Sequence, residues 1–165
     1  MLSEDYRYFE QLFQDEPPLT DDSLTEWISI ISLRCFNAPF THDAKVNKRL
    51  KTTGGRYHLT SHHIDINPLV YTKYGWEELV NVILHELCHY HLHLTGRGYQ
   101  HRDKAFKLLL KAVGGSRYVK PLVEKETRYH YRCQKCQLDY YRQKKIDLNR
   151  YRCKCFGDLV MITLE

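Results

Sequence analysis

Apolar positions recur at helical spacing in four stretches of this 165-residue chain. Between Asp5 and Gln14, the residues Tyr6, Phe9, Leu12 and Phe13 share one face, and Pro17-Pro18 ends the run. Thr20-Asp21-Asp22-Ser23 offers N-caps for a second helix reaching about Cys35, in which Leu24, Trp27, Ile28, Ile31 and Leu33 are apolar. A third helix is predicted from Trp76 to Leu94, with Leu79, Val80, Ile83, Leu84 and Leu87 inward and Gly96 and Gly98 as the stop. The fourth runs from His101 to Val113, with Ala105, Phe106, Leu109 and Val113 facing inward and Gly114-Gly115 closing it.

Between the second and third helices the period changes to two. Lys45 to Thr52 and Arg56 to Thr60 flank Thr53-Gly54-Gly55, which reads as a hairpin turn. His63-Ile64-Asp65-Ile66-Asn67 alternates and stops at Pro68, predicting a third short strand. Helices, strands, then helices make an α+β domain. Lys120 to Thr127 is polar and contains Pro121, which marks a linker. The expected division is a domain over residues 1–127 and a small β module over 128–165, where Tyr, Arg, Lys and Cys predominate.

The third helix contains His85-Glu86-Leu87-Cys88-His89. On a helix, residues i and i+4 lie on one face with Cβ atoms about 5–6 Å apart, so His85 and His89 can hold one metal ion together. Glu86 stands beside such an ion, where a general base for an attacking water has to be. A catalytic zinc takes a third protein ligand and keeps one position open. His93 continues the face but lies about 12 Å along the axis from His85, beyond the reach of a common ion. His91 points elsewhere. His101 follows the Gly96-x-Gly98 turn, where the chain can fold back, and is the first choice on ligand chemistry; Asp103 is the next. Glu124 and Glu126 would serve only in a thermolysin-like layout. Leu92 stands where a metzincin requires glycine.

Six cysteines bear on a second site. Cys133-x-x-Cys136 and Cys153-x-Cys155 are two short-spaced pairs, the framework of a zinc ribbon holding a structural ion. The alternative is four free thiols in a β tail. Cys35 and Cys88 read as small buried residues.

Charge adds a partner class. Residues 1–26 carry net −7, residues 27–127 carry +7 and residues 128–165 carry +5. A basic body suits a polyanion or simply a well-solvated surface. Arg142, Lys144, Lys145, Arg150 and Arg152 interleave with Tyr140, Tyr141 and Tyr151, a composition that suits DNA, single-stranded at least as well as duplex. The bland alternative places those tyrosines in the core of the tail. No apolar run approaches the ~20 residues of a membrane span. Met1-Leu2-Ser3-Glu4-Asp5 lacks the basic and apolar regions of a signal peptide, so a cytoplasmic protein is expected.

The motif His85-Glu86-Leu87-Cys88-His89, followed by His101-Arg102-Asp103-Lys104-Ala105-Phe106, resembles the SprT-like metalloprotease family, and most closely its small bacterial members. Thr53-Gly54-Gly55-Arg56-Tyr57, Ile64-Asp65-Ile66-Asn67-Pro68 and the cysteine-rich tail resemble it too, so the likeness covers nearly the whole chain. The resemblance implies a minimal zincin-like fold, with His85, His89 and His101 as zinc ligands and Glu86 as base. It also implies kinship with eukaryotic proteases that degrade proteins crosslinked to DNA. The tail departs from the pattern, because Cys153-x-Cys155 is one residue shorter than the usual second pair. The expectation is therefore a zinc peptidase with one catalytic and one structural Zn2+, acting on a protein or peptide. Substrate would add as a strand along Arg56–Thr60 or His63–Asn67, with Tyr99, Arg56 or His63 as oxyanion donor. The rivals are a nucleic-acid-associated regulatory protein whose zinc sites are both structural, and a zinc hydrolase of a non-peptide amide. The regulatory reading has no use for Glu86 and needs a fourth protein ligand at the histidine site.

Overall fold

The computed structural model describes residues 3–15, 17–123 and 127–162. The chain forms two compact units, Met1–Val123 and Glu124–Glu165.

In the first unit, α1 (Ser3–Leu12) and α2 (Asp21–Phe36) precede three short strands, β1 (Ala44–Val46), β2 (Gly55–Tyr57) and β3 (Ile64–Ile66). Then follow α3 (Pro68–Leu94) and α4 (Lys104–Ala112). The unit is α+β, as the pattern predicts. Thr20 caps α2 in a reciprocal capping box with Ser23, which satisfies two main-chain donors at the helix start. Phe9, Phe13, Leu24, Trp27, Ile28 and Ile31 are buried against Leu79, Val80, Ile83, Leu84 and Leu87 of α3. Each such side chain contributes about 1.5–3 kcal/mol by leaving water. Leu33 falls outside this stripe and is 61% exposed.

The sheet differs from the sequence expectation. Its order is β1-β3-β2, with β3 parallel to β1 and antiparallel to β2. The segments on either side of Thr53-Gly54-Gly55 therefore do not pair, and those glycines are not a hairpin turn. They are needed for close approach. A Cβ on Gly54 would come within 2.9 Å of Val82 Cγ2, and one on Gly55 within 2.9 Å of Glu86 Cγ. Buried Asn67 holds this passage, donating to Leu50 O at 2.7 Å and Thr53 O at 3.2 Å while its Oδ1 caps α3 through Leu69 N–H. The central place of β3 also rules out His63–Asn67 as a docking edge; β2 is an edge strand.

The helix that carries His85 and His89 is longer than its periodicity suggests. Pro68 to Tyr74 forms a separate helical piece joined at Gly75, whose backbone (φ 77°, ψ −172°) is open only to glycine. The last helix starts later than expected, at Lys104 behind Asp103, so His101 lies in the preceding turn and not in the helix. The expected linker is partly structured: Leu122 is buried and Lys120 N–H donates to Glu78 Oε1 at 2.9 Å. Glu124 and Glu126 lie outside the described residues.

In the second unit β4 (Tyr129–Cys133) pairs antiparallel with both β5 (Asp139–Arg142) and β6 (Leu159–Ile162). Its small core is Cys133, Cys153 and Leu159, with Tyr140, Ile146, Leu148 and Cys155 packed on it.

Candidate metal centre

The α3 geometry places His85 and His89 on one face, and the turn after Gly96 returns His101 to them. The three Nε2 atoms lie 2.8 Å (His85–His101), 3.0 Å (His89–His101) and 3.3 Å (His85–His89) apart. His85 Nδ1 is 3.2 Å from Ser116 O, and His89 Nδ1 is 2.7 Å from Tyr99 O. A carbonyl can only accept, so each Nδ1 carries the proton and each Nε2 presents a bare lone pair. Two bare lone pairs at 3.3 Å repel, and a cation between them removes the conflict. Zinc–imidazole bonds of about 2.0–2.1 Å in a tetrahedron separate nitrogens by about 3.3 Å, so the residues fit zinc. Burial lowers the affinity of all three rings for protons, to about 4 at His89, which keeps them in the ligating form. Phe106 packs on the ring of His89, with centroids 4.4 Å apart.

Glu86 is 8% exposed, beneath the edge strand β2. Burial pushes its carboxyl up to about 8, against a smaller opposing effect of the Tyr57 main chain and the Arg56 charge. Among the expected oxyanion donors, Arg56 is thus the one whose charge reaches Glu86. His63 is engaged with Asp65, and the Tyr99 ring packs on His93. Asp103 does not join the triad: its Oδ2 accepts from Gln100 N–H at 2.8 Å. His91 and His93 are also committed elsewhere, His91 to Ser32 Oγ at 2.8 Å and His93 to Tyr57 Oη at 2.7 Å. Among the described residues, the group that can share an ion here is His85, His89 and His101.

Three features of this site are not written in the sequence motif. The carbonyls of Ser116 and Tyr99 that orient His85 and His89 are main-chain atoms and leave no residue signature. Tyr57 Oη joins His93 to His62, each at 2.7 Å, and is itself buried enough to be pushed up to about 12. Gln100, His101, Arg102, Lys107 and Arg117 line a cavity of about 500 Å³ beside the triad, a basic recess next to one ligand.

Cys133, Cys136, Cys153 and Cys155 also converge. Sγ of Cys133 is 3.5 Å from that of Cys155, and Sγ of Cys136 is 3.4 Å from that of Cys153. The short second pair does not prevent this. Gln137 and Phe156 follow the last cysteine of each pair with φ of 60° and 61°, so both loops turn back in the same way. Gln137 N–H donates to Cys133 O, and Phe156 N–H to Cys153 O. Main-chain N–H groups aimed at sulfur hold Cys133 and Cys153 down, Cys153 to about 6 with help from the Tyr140 hydroxyl. A Cβ on Gly157 would lie 2.7 Å from Cys133 Sγ, so the loop closes tightly over the sulfurs. Four converging thiols on paired loops, with Cys133 and Cys153 held down, fit a metal such as zinc. By contrast Cys88 is fully buried and pushed up to about 12, and Cys35 is half-buried and pushed up to about 11. Neither belongs to a metal-ligating group among the described residues.

Among the described residues no helix is long and apolar enough to cross a membrane. The sequence model of the SprT-like family matches residues 24–130. A protein of Enterococcus faecalis named Protein SprT-like is 57% identical over 144 residues, covering 86% of this chain and 94% of its own length. Proteins of the same name from Lactiplantibacillus plantarum and Bacillus thuringiensis are 50% and 47% identical over 148 residues, each covering 87% of this chain and 100% and 97% of their own lengths. No solved structure matches the chain significantly. A family match that spans both the histidine triad and the strands beneath it, with relatives alike over most of their length, makes this chain a member of the SprT-like family.

Proposed function

We propose that the protein is a zinc-dependent peptidase on a minimal zincin-like fold, with His85, His89 and His101 as ligands and Glu86 as general base. One observation carries this reading. Three nitrogen donors converge with no fourth protein donor among the described residues, and the next residue on the helix is a buried carboxyl. A structural zinc site is closed by four protein ligands, whereas a catalytic one leaves a position for substrate or water. Zinc held there supplies Lewis acidity toward a water and a scissile carbonyl. The chain supplies the rest. The Ser116 and Tyr99 carbonyls orient two ligands. Glu86 takes the proton of the attacking water and hands it to the departing amine, a task suited to a carboxyl whose proton affinity burial has raised. Edge strand β2 offers main-chain groups to an extended peptide beside that carboxyl.

The second unit supports delivery to DNA-associated proteins. Of the three tyrosines among its basic residues, Tyr140 is drawn to Cys153 Sγ at 3.1 Å, while Tyr141 and Tyr151 are 55% and 52% exposed. Phe156 at the second cysteine loop is 89% exposed. Exposed rings among Arg142, Lys144, Lys145 and Arg150 make a surface on which unpaired bases stack.

The test is proteolysis of an unfolded protein by Glu86→Gln and His101→Ala. Glu86→Gln should retain zinc and lose cleavage, because an amide does not accept the proton at neutral pH. His101→Ala should lose zinc. Full activity of Glu86→Gln removes Glu86 from the mechanism, and absence of cleavage by the zinc-loaded parent favours the regulatory reading.

A further inference from the structure

A second group of imidazoles lies at the connection between β2 and β3. His58 follows β2 and His63 precedes β3, and His58 N–H donates to His63 O at 3.0 Å, so the two residues face each other across the antiparallel ladder. Their rings stack with centroids 3.9 Å apart and 13° between the planes. Both edges turn to one carboxylate. His58 Nε2 is 3.0 Å from Asp65 Oδ2, and His63 Nε2 is 3.5 Å from Asp65 Oδ1. Asp65 is 5% exposed in the central strand. Lys45 and Arg56 flank it in register, yet among the described residues its ion pairs within 4.0 Å are with the two imidazoles.

This arrangement gathers three ligand types that a cation takes together. A buried carboxylate needs its charge matched. Two stacked imidazoles this close repel each other when both are protonated, so protons charge at most one of the two rings that face Asp65. One dication can bind both neutral rings and the carboxylate together. One ligand atom from each of the three residues lies within 4.8 Å of the others. Neighbouring groups hold the ligands in place: Ser61 Oγ lies 2.6 Å from His63 Nδ1, and Asn47 Nδ2 donates at 2.8 Å to Asp65 Oδ2, the oxygen that faces His58. His58 and His63 are half-buried, which leaves an entry path and positions for water. Imidazole donors favour first-row transition ions over magnesium or calcium.

We propose that His58, His63 and Asp65 form a further site for a divalent transition-metal ion of the Zn2+, Co2+ or Ni2+ class. The site is separate from the His85–His89–His101 triad and from the cysteines, and does not depend on peptidase activity. The ion ties the end of β2 to the start of β3. Because β2 carries Gly55 against Glu86, the ion steadies the strand that borders the catalytic carboxyl.

The experiment uses the full chain, stripped with chelator and reloaded with Zn2+, and reads bound metal and imidazole resonances. His58→Ala/His63→Ala should bind one equivalent less zinc than the parent, and Cys133→Ser/Cys136→Ser should remove a different equivalent, so that the losses add. In the parent, Zn2+ should shift the imidazole signals of His58 and His63 but leave that of His130 in place. Ser61→Ala, which keeps all three ligands, should weaken this site roughly tenfold or more. A far-UV circular dichroism spectrum and an unfolding midpoint like the parent's report that the histidine variant is folded. Where it is not folded, the parent's resonances and Ser61→Ala decide. Equal stoichiometry in parent and folded variant, or His58 and His63 signals blind to Zn2+, overturns the proposal whatever the peptidase assay shows.

Discussion

Gly55 lies so close to Glu86 that an added Cβ would stand 2.9 Å from Glu86 Cγ and 3.0 Å from its Oε1. The neighbour in that contact is the group proposed to move the proton, and Val82 Cγ1 also stands 2.9 Å away, so the strand cannot back off freely. We expect Gly55→Ala to lower kcat/KM for a protein substrate by roughly 10–100-fold, since displacements of about 1 Å cost that much in positioned catalysis. Metal content should be unchanged. Undiminished activity measured beside normal zinc content would show that Glu86 tolerates the shift.

The cysteine loops should behave as a separate module. Cys133→Ser with Cys136→Ser is expected to remove one equivalent of zinc and leave the histidine triad filled, because the ligands belong to different compact units. Atomic absorption on the purified variant measures this. Loss of zinc from both sites would contradict the separation.

Acid should destabilise the first unit through its buried imidazoles. Burial holds His91 at about 4, where it bonds Ser32 Oγ, and His89 at about 4. These values lie below the ordinary 6.5 of an unfolded histidine. As pH falls the unfolded chain binds protons first, so this stability is complete above about pH 6.5 and drains away toward pH 4. Denaturant unfolding of the chelated protein at several pH values should show this slope, and His91→Gln should flatten it. An unchanged slope in that variant would remove His91 as a source.

Single-stranded DNA should bind in a salt-dependent way, because Lys and Arg displace counterions from phosphate. Replacing exposed Tyr141, Tyr151 and Phe156 together by Ala should weaken binding by a factor of ten or more, at roughly 1–3 kcal/mol per lost base stack. Charge reversal at Lys144 and Lys145 should reduce the salt slope and leave cleavage of a short peptide unchanged. Fluorescence titration of a labelled oligonucleotide at two salt concentrations measures both. No binding at low salt would leave a peptidase without nucleic-acid guidance.

The sequence by itself determined that the helices form and that His85, Glu86 and His89 share one of them, though not where α3 and α4 begin. A helix repeats every 3.6 residues, so His85, Glu86 and His89 acquire their mutual geometry from spacing alone. The apolar stripe that buries α3 is equally local, as is the capping box at Thr20. Everything that depends on strand order was left to the tertiary structure. Strands of three residues carry too little pattern to state their partners, and β3 inserts between β1 and β2 where adjacency in sequence suggests a hairpin. That insertion turns Gly54 and Gly55 from turn residues into contact residues and makes β2 the edge beside Glu86. It also brings His58, His63 and Asp65 together, a grouping that no spacing in the sequence announces. The return of His101 was legible in the Gly96-x-Gly98 turn, but the carbonyls of Ser116 and Tyr99 were decided by the tertiary structure, because a loop's path is set by what it packs against and a main-chain atom has no letter in the sequence.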